Sequence, residues 1–338
     1  MSDRHSGTSG AAHEVETITP THIGGQAVLE GIMMRGKLNW AIAVREPSGE
    51  IYTEQHDLVS AASKHRWLRW PIIRGMWGFY ETMVLAVKAF GISAAHAGET
   101  EEEQLSQGEI GFTMVLGLAL AVGLFIVLPA FLTNLAVDSL EHPFAWNAID
   151  GVLRLVAFFL YIVAVSRMKE IRRVFAYHGA EHKTIHAYEH GLPLEPAVIQ
   201  RYTTLHVRCG TSFLLMVMVV AIAVFSLVPG KAILEQWGVS ATGWVLLFNI
   251  GVRILLLPLI AGIAYEITVK WAGKRPENPL VKVLLWPGLQ MQRLTTVEPD
   301  DDMIEIAVAA MRLVVEREQA EAENAGSAPV PEPVPALD

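Results

Sequence analysis

Four long apolar runs dominate the chain: Phe112–Val137, Trp146–Val165, Ser212–Pro229 and Gly243–Ile267. Each approaches or exceeds the roughly 20 helical residues that cross a hydrocarbon core about 30 Å thick. The second and fourth hold one arginine each, Arg154 and Arg253, and the runs are otherwise almost free of charge. This pattern predicts an α-helical polytopic membrane protein with four transmembrane helices, over 110–137, 146–166, 212–229 and 243–267.

The remaining segments carry other periods. Residues 1–20 are rich in Ser, Gly and Thr and aperiodic, which predicts disorder. Over 21–58 the signals are those of strands: Ile23–Met34, weakened by its glycines, then Trp40–Arg45 and Glu50–Gln55 about the turn sequence Glu46-Pro47-Ser48-Gly49. A small N-terminal β-hairpin module is expected there. Residues 60–98 read as helix, with Arg74, Glu81 and Lys88 on one face and Ile73, Trp77, Met83, Val84, Val87 and Phe90 on the other. Three charges in one stripe fit a helix lying in the membrane interface, with a fifth span as the alternative. After the last apolar run, 268–319 forms a C-terminal segment. It holds a short interfacial stretch at Asn278–Gln290 and an amphipathic helix capped by Asp302 that runs to about Glu318. An acidic, Pro-containing tail over 320–338 is expected to be disordered.

Charge orients this arrangement. The loop between the first two spans has no Lys or Arg, and that between the third and fourth has Lys231 alone. The 167–211 loop carries Arg167, Lys169, Arg172, Arg173, Lys183, Arg201 and Arg208, with Arg66, Arg69 and Arg74 before the first span and Lys270, Lys274 and Arg275 after the last. Both termini and the His-rich loop are therefore expected in the cytoplasm, on a multi-pass protein of the cell membrane. The formal charge of −9 arises in the tail, where 298–338 holds eleven acids against two arginines. Nothing in this distribution suggests a nucleic-acid partner. The expected partners are the lipid bilayer and a membrane-associated substrate, and a homo-oligomer is compatible with the sequence. A single cysteine, Cys209, excludes an intramolecular disulfide, and residues 1–20 lack the apolar core of a secretory signal. Prolines and glycines at 129/229 and 151/251 echo at about 100 residues, a weak sign of a duplicated helix pair.

The chemistry concentrates in Tyr177-His178-Gly179-Ala180-Glu181-His182-Lys183-Thr184-Ile185-His186-Ala187-Tyr188-Glu189-His190, which contains His-x-x-Glu-His. On a helix, His178 and His182 stand one turn apart on one side. Glu181 projects beside them, where a carboxylate can take a proton from a metal-activated water. His186 and Glu189 fall on the same arc of about 80°. Imidazole and carboxylate donors suit a divalent transition metal, zinc in the first instance. Two histidines seldom complete a site, and His206, before the third span, and Glu266, at the end of the fourth, are the expected further ligands ahead of Glu189. The competing reading is a solvated helix with histidines at lipid headgroups.

Other residues are ambiguous. Cys209 is either a soft ligand or a small buried thiol, and Arg208 beside it an anion clamp. Gly24–Gly36 lacks the spacing and ending of a P-loop. Its Gln26, Glu30 and Arg35 suit contact with a polar ligand, and its glycines suit tight packing on the His helix equally well. Arg154 and Arg253 each follow a polar residue, Asp150 or Asn249, by four positions, and are read as polar glue between spans. No histidine lies inside a span, which argues against a bis-His haem protein and against a protease with its metal deep in lipid.

Gly24–Arg35, the His178–Glu189 stretch, His206-Val-Arg-Cys-Gly-Thr-Ser-Phe213 and Gln292-Arg-Leu-Thr-Thr-Val-Glu-Pro-Asp300 together resemble the YqhQ-like bacterial membrane proteins. That family is described as predicted metal-dependent enzymes of unknown function. The resemblance covers about 22–318 and implies His178, Glu181 and His182 as the metal motif. It brings no substrate or reaction. The sequence thus points to a metal-dependent membrane hydrolase with its site at the cytoplasmic surface. The alternative is a scaffold or transporter in which the metal is structural or sensory; an open coordination position would favour the enzyme.

Overall fold

The computed structural model describes residues 21–98, 107–137, 143–206, 209–228, 234, 236–238, 242–272, 274–275, 278–324 and 326. The N-terminal segment expected to be disordered, most of the acidic tail and Arg208 lie outside them.

The N-terminal module is a four-stranded antiparallel meander: β1 (Gly24–Val28), β2 (Gly31–Arg35), β3 (Asn39–Arg45) and β4 (Ile51–Asp57). The Ile23–Met34 stretch, expected as one strand, is itself a hairpin. Val28 pairs with Gly31 about a two-residue turn in which Glu30 takes φ +49°, a left-handed conformation unusual for a side chain larger than Asn. Period-two alternation sorts the inner strands into two faces. Ile32, Met34, Ala41 and Ala43 pack with two helices, α4 (Lys169–Glu189) and α8 (Asp301–Asn324), to be placed below. Met33, Trp40, Ile42 and Val44 turn the other way, onto Leu85 and Ala89. With both faces covered, β2 and β3 are buried almost throughout.

Leu85 and Ala89 belong to α1 (Ile73–His96), the helix expected at the interface. Arg74 and Glu81 are not on its outer face, whereas Lys88 is exposed. Arg74 pairs with Glu266, and Glu81 accepts from Ser60 and Trp77 and pairs with Arg35. Tyr80, Met83, Val84 and Val87 are exposed instead, in line with exposed Trp67 and Trp70 just upstream. The amphipathic character is real, with the apolar stripe outward.

Three helices among the described residues are long and apolar enough to cross a membrane: Gly111–Ala136, Ala145–Val165 and Ile250–Ala272. In order, α2 comprises Gln107–Val122, a π-helical stretch Gly123–Val127 and Leu128–Ala136; α3 is Pro143–Val165. The polar α4 follows, then α5 (Gly210–Ser226), α6 (Thr242–Tyr265), which continues as a π-helical segment Glu266–Ala272, and α7 (Pro279–Thr295). The third expected span, Ser212–Pro229, corresponds to α5. At 17 residues that helix is roughly 25 Å long, short of a 30 Å hydrocarbon core. A count of four transmembrane helices is therefore not established, while the apolar helical class is.

Asp150 of α3 joins the helices by forming an ion pair with Arg154 on its own helix, 3.0 Å from Arg154 Nε, and by accepting from Arg253 of α6 at 2.9 Å. Both guanidiniums also lie over the Phe225 ring of α5. The arginines of these two apolar helices thus share one carboxylate, and Arg253 does not use the polar residue four positions before it. α8 begins at Asp301, one residue before the expected cap, packs Met311, Val314 and Val315 into the core shared with the sheet, and runs on past Glu318 to Asn324.

The entry to α1 is tightly built. Ile72 takes φ +67°, and a Cβ on Gly262 of α6 would come within 2.6 Å of the Ile72 carbonyl oxygen. That contact is with backbone and cannot yield by a rotamer change. Gly262→Val is expected to destabilise the protein by about 1–3 kcal/mol, the cost of overpacking a core, measured as a lower thermal midpoint in detergent than for wild type.

Candidate metal centre

α4 is polar in sequence and yet lies against the sheet, α8 and two segments outside helix and strand, 203–206 and 296–300, so its side chains need partners. These segments and the end of α7 supply them. His178 Nδ1 donates to the Thr295 carbonyl at 2.8 Å, and His182 Nδ1 to the Thr204 carbonyl at 2.5 Å. A carbonyl can only accept, so both rings carry their proton on Nδ1 and present the Nε2 lone pair. Cys209 stands at that side, its Sγ 3.2 Å from His178 Nε2. Ligating atoms of His178, His182 and Cys209 all lie within 4.8 Å of one another. Tetrahedral zinc, with bonds of about 2.0–2.3 Å, sets donor separations of roughly 3.3–3.6 Å. The trio needs little movement to meet that demand. Cys209 also caps α5 through Thr211 N, where the helix dipole complements the charge of a ligating thiolate.

Burial lowers the proton affinity of His182, although Cys209 raises it, and favours the neutral, ligating ring. Burial pushes the Glu181 carboxyl up to about 7, against the opposing effects of His178 and the Gly25 N–H. Its Oε2 has no hydrogen-bond partner. A Cβ at Gly25 would fall 2.8 Å from Glu181 Cγ and Cδ, so the glycine of β1 is what admits this side chain. The same holds for Gly179, where a Cβ would meet the Val297 carbonyl.

One turn further along α4, His186, Glu189 and His206 form a second group with ligating atoms within 4.8 Å. His186 Nε2 donates to the Leu205 carbonyl at 2.9 Å, and burial lowers its proton affinity. Glu189 accepts from Thr21 N–H at 2.9 Å through one oxygen and faces His206 Nε2 with the other at 3.5 Å.

Of the residues singled out in the sequence, His178, His182 and Glu181 come together, with Cys209 completing a trio. His206 joins His186 and Glu189 instead. Glu266 is not brought to the histidines: its carboxylate accepts from Arg74 Nε at 2.8 Å and from Ile72 N–H at 3.1 Å, because the bend at Ile72 lays α1 on the end of α6. Glu30 binds Arg173 and Tyr177, and Arg35 binds Glu81 and Thr82. Gln26 pairs in register with Met33, on the sheet face turned from α4. The glycine-rich strand therefore packs the His helix, the second of its two sequence readings. Sequence reasoning missed Thr204, Thr295 and Gln292. Gln292, fully buried in α7, accepts from His206 N–H and donates to His206 C=O, both at 2.8 Å, and also donates to Ser212. Only its place in a quoted motif hinted at such a role.

The family described as "Protein of unknown function (DUF1385)" matches residues 70–317, which takes in α4, Cys209 and Gln292. The chain belongs to the DUF1385 family. It is 32% identical over 323 residues, 90% of this chain and 96% of the other, to the protein described as "Uncharacterized protein YqhQ" of Bacillus subtilis (strain 168). No solved structure matches the chain. Family membership names no reaction, so the chemistry of this DUF1385 protein rests on its own donors.

Replacing Gln292 by Leu would remove the partner of the His206 N–H in a buried site, at a cost of about 1–3 kcal/mol, while the His206 carbonyl keeps the Cys209 N–H. Gln292→Glu can still accept from the N–H. Thermal unfolding in detergent is expected to rank wild type above Gln292→Glu above Gln292→Leu.

Proposed function

We propose that this protein is a metal-dependent hydrolase acting on a membrane-associated substrate at the cytoplasmic surface, with His178, His182 and Cys209 holding a divalent ion, zinc by donor type. The observation that carries the reading is the pair of Nδ1–H to carbonyl hydrogen bonds, which turn two imidazole lone pairs toward one buried thiol. Three protein donors leave a fourth position, as in catalytic rather than structural zinc sites. A bound ion supplies Lewis acidity. Glu181, whose Oε2 has no partner and whose carboxyl titrates near neutrality, accepts the proton of the attacking water. The apolar outer stripe of α1 and the basic loops support a membrane-facing site on the cytoplasmic side.

One observation favours the non-enzymatic alternative, a scaffold or transporter with a structural or sensing metal. His182, Cys209 and Glu181 are all buried, which suits a site shielded from substrate.

Glu181→Gln separates the two. The amide keeps the shape and cannot accept a proton, and general-base assistance is worth about 10²–10⁴-fold in rate. Complementation of a deletion strain is expected to fail while this site keeps its ion, and His178→Ala or His182→Ala is expected to lose the ion and His190→Ala to keep it. Full complementation by Glu181→Gln would leave only the metal-binding alternative.

Orientation is tested separately. Reporter fusions after Asp57, Asp138, Leu192 and Lys231 are expected to read in, out, in, out; an external Leu192 fusion would move the site to the other face of the membrane.

A further inference from the structure

We infer that His186, Glu189 and His206 form a second metal site, one helical turn along α4 from the first, taking a divalent first-row ion such as zinc. The inference rests on the proposed function only in the role it gives this ion, that of a brace for Cys209. The six donors of the two groups are different residues.

The simplest competing account is an ion pair between a protonated His206 and Glu189. The geometry argues against it. The Nε2–Oε2 separation of 3.5 Å is well beyond the roughly 2.7–2.9 Å of a charge-assisted hydrogen bond. His186 spends its Nε2–H on the Leu205 carbonyl, so its Nδ1 carries a lone pair and has nothing to donate to the carboxylate. Glu189 and His206 are only 5% and 4% exposed, so the donors meet away from solvent. Two imidazoles with one carboxylate, all with ligating atoms within 4.8 Å, are a donor set that first-row divalent ions accept.

The surrounding contacts are those of oriented ligands. Thr21 N–H fixes one Glu189 oxygen, the Leu205 carbonyl fixes the His186 ring, and Gln292 holds the His206 backbone on both sides. Two donors come from α4 and the third from the 203–209 segment. An ion held by all three would tie that segment to the helix. The same segment offers the Thr204 carbonyl to His182 and, three residues after His206, the Cys209 thiol. The second ion would therefore set the position of the first site's thiol.

The test uses the full chain, purified in detergent without chelators and loaded with Zn(II) or Co(II). Wild type is expected to hold two ions per chain by elemental analysis. Glu189→Gln/His206→Ala is expected to hold one and to keep the thiolate-to-cobalt charge-transfer band, which only Cys209 can give. Cys209→Ser, which retains a helix cap, is expected to hold one ion and lose the band. Should the double variant fail to fold, the near-isosteric Glu189→Gln is expected to weaken one zinc site roughly 10-fold or more; unchanged affinity at both sites would overturn the inference. A single ion lost only with Cys209→Ser, an ion lost in both variants, or no ion in wild type would also overturn it. A single ion lost only with Glu189→Gln/His206→Ala would uphold the second site and overturn the first.

Discussion

A helix that carries three imidazoles and buries two carboxylates and an ammonium imposes the condition on which the rest of this structure depends. α4 lies between the sheet, α8 and two segments outside helix and strand, and burying a polar group without a partner costs several kcal/mol. Each neighbour is shaped by that demand. Thr204 and Leu205 lie outside helix and strand, and Thr295 ends α7, where the last carbonyls lack an intrahelical donor, which leaves these three carbonyls to take imidazole protons. Lys183 is satisfied in the same way, by the Gln200 carbonyl and side chain and by Glu298. Its ammonium ties Gln200 and Glu298 to the helix between the two donor groups. The metal geometry follows from the satisfaction of the donors' other nitrogens.

The sequence disclosed the helix and its donors well, because a 3.6-residue period is local. His178, His182, His186 and Glu189 share a face whatever surrounds them. What surrounds them was not legible. Glu266 and His206 were equally plausible ligands when only topology placed them. Glu266 is removed by the left-handed backbone at Ile72, which nothing in Trp70-Pro71-Ile72-Ile73 announces as a sharp bend onto α6. Cys209 was demoted by the general habit of free thiols to be inert, and promoted by two carbonyls more than eighty residues apart. Long-range hydrogen bonds of this kind have no single-sequence signature.

The same division between local and remote information runs through the fold. Alternation in Trp40–Arg45 gave β3, but the hairpin inside Ile23–Met34 needed a residue with a long side chain, Glu30, at a turn position usually held by Gly or Asn. Its carboxylate accounts for the choice. It reaches Arg173 and Tyr177, so the turn is anchored to the start of α4. On α1 the heptad of charges was read as one face; what the sequence left open was their partners, since Arg35 and Glu266 lie far away in sequence. Arg74 and Glu81 turn to those partners and leave an aromatic and aliphatic stripe outside, which strengthens the case for a membrane interface. The arginines within the spans were read rightly as interhelical glue, although one aspartate serves both.

The candidate centre and the apolar helices are mechanically one unit. Cys209 is the N-cap of α5, so its thiol moves only as that helix moves. Gln292 of α7 grips His206 and, through Ser212, the first turn of α5. A Cβ on Gly288 of α7 would come within 2.5–2.8 Å of Ser212, so α5 and α7 meet with no space to slide. A tilt of either helix must therefore shift the thiol or the second histidine group relative to α4. Such coupling serves an enzyme that works on membrane-embedded substrates, and it serves a sensor in which metal binding repositions helices. The two uses differ in whether Glu181 must ionise, and only the carboxylate placed against Gly25, in a gap that a single methyl group would close, distinguishes them chemically.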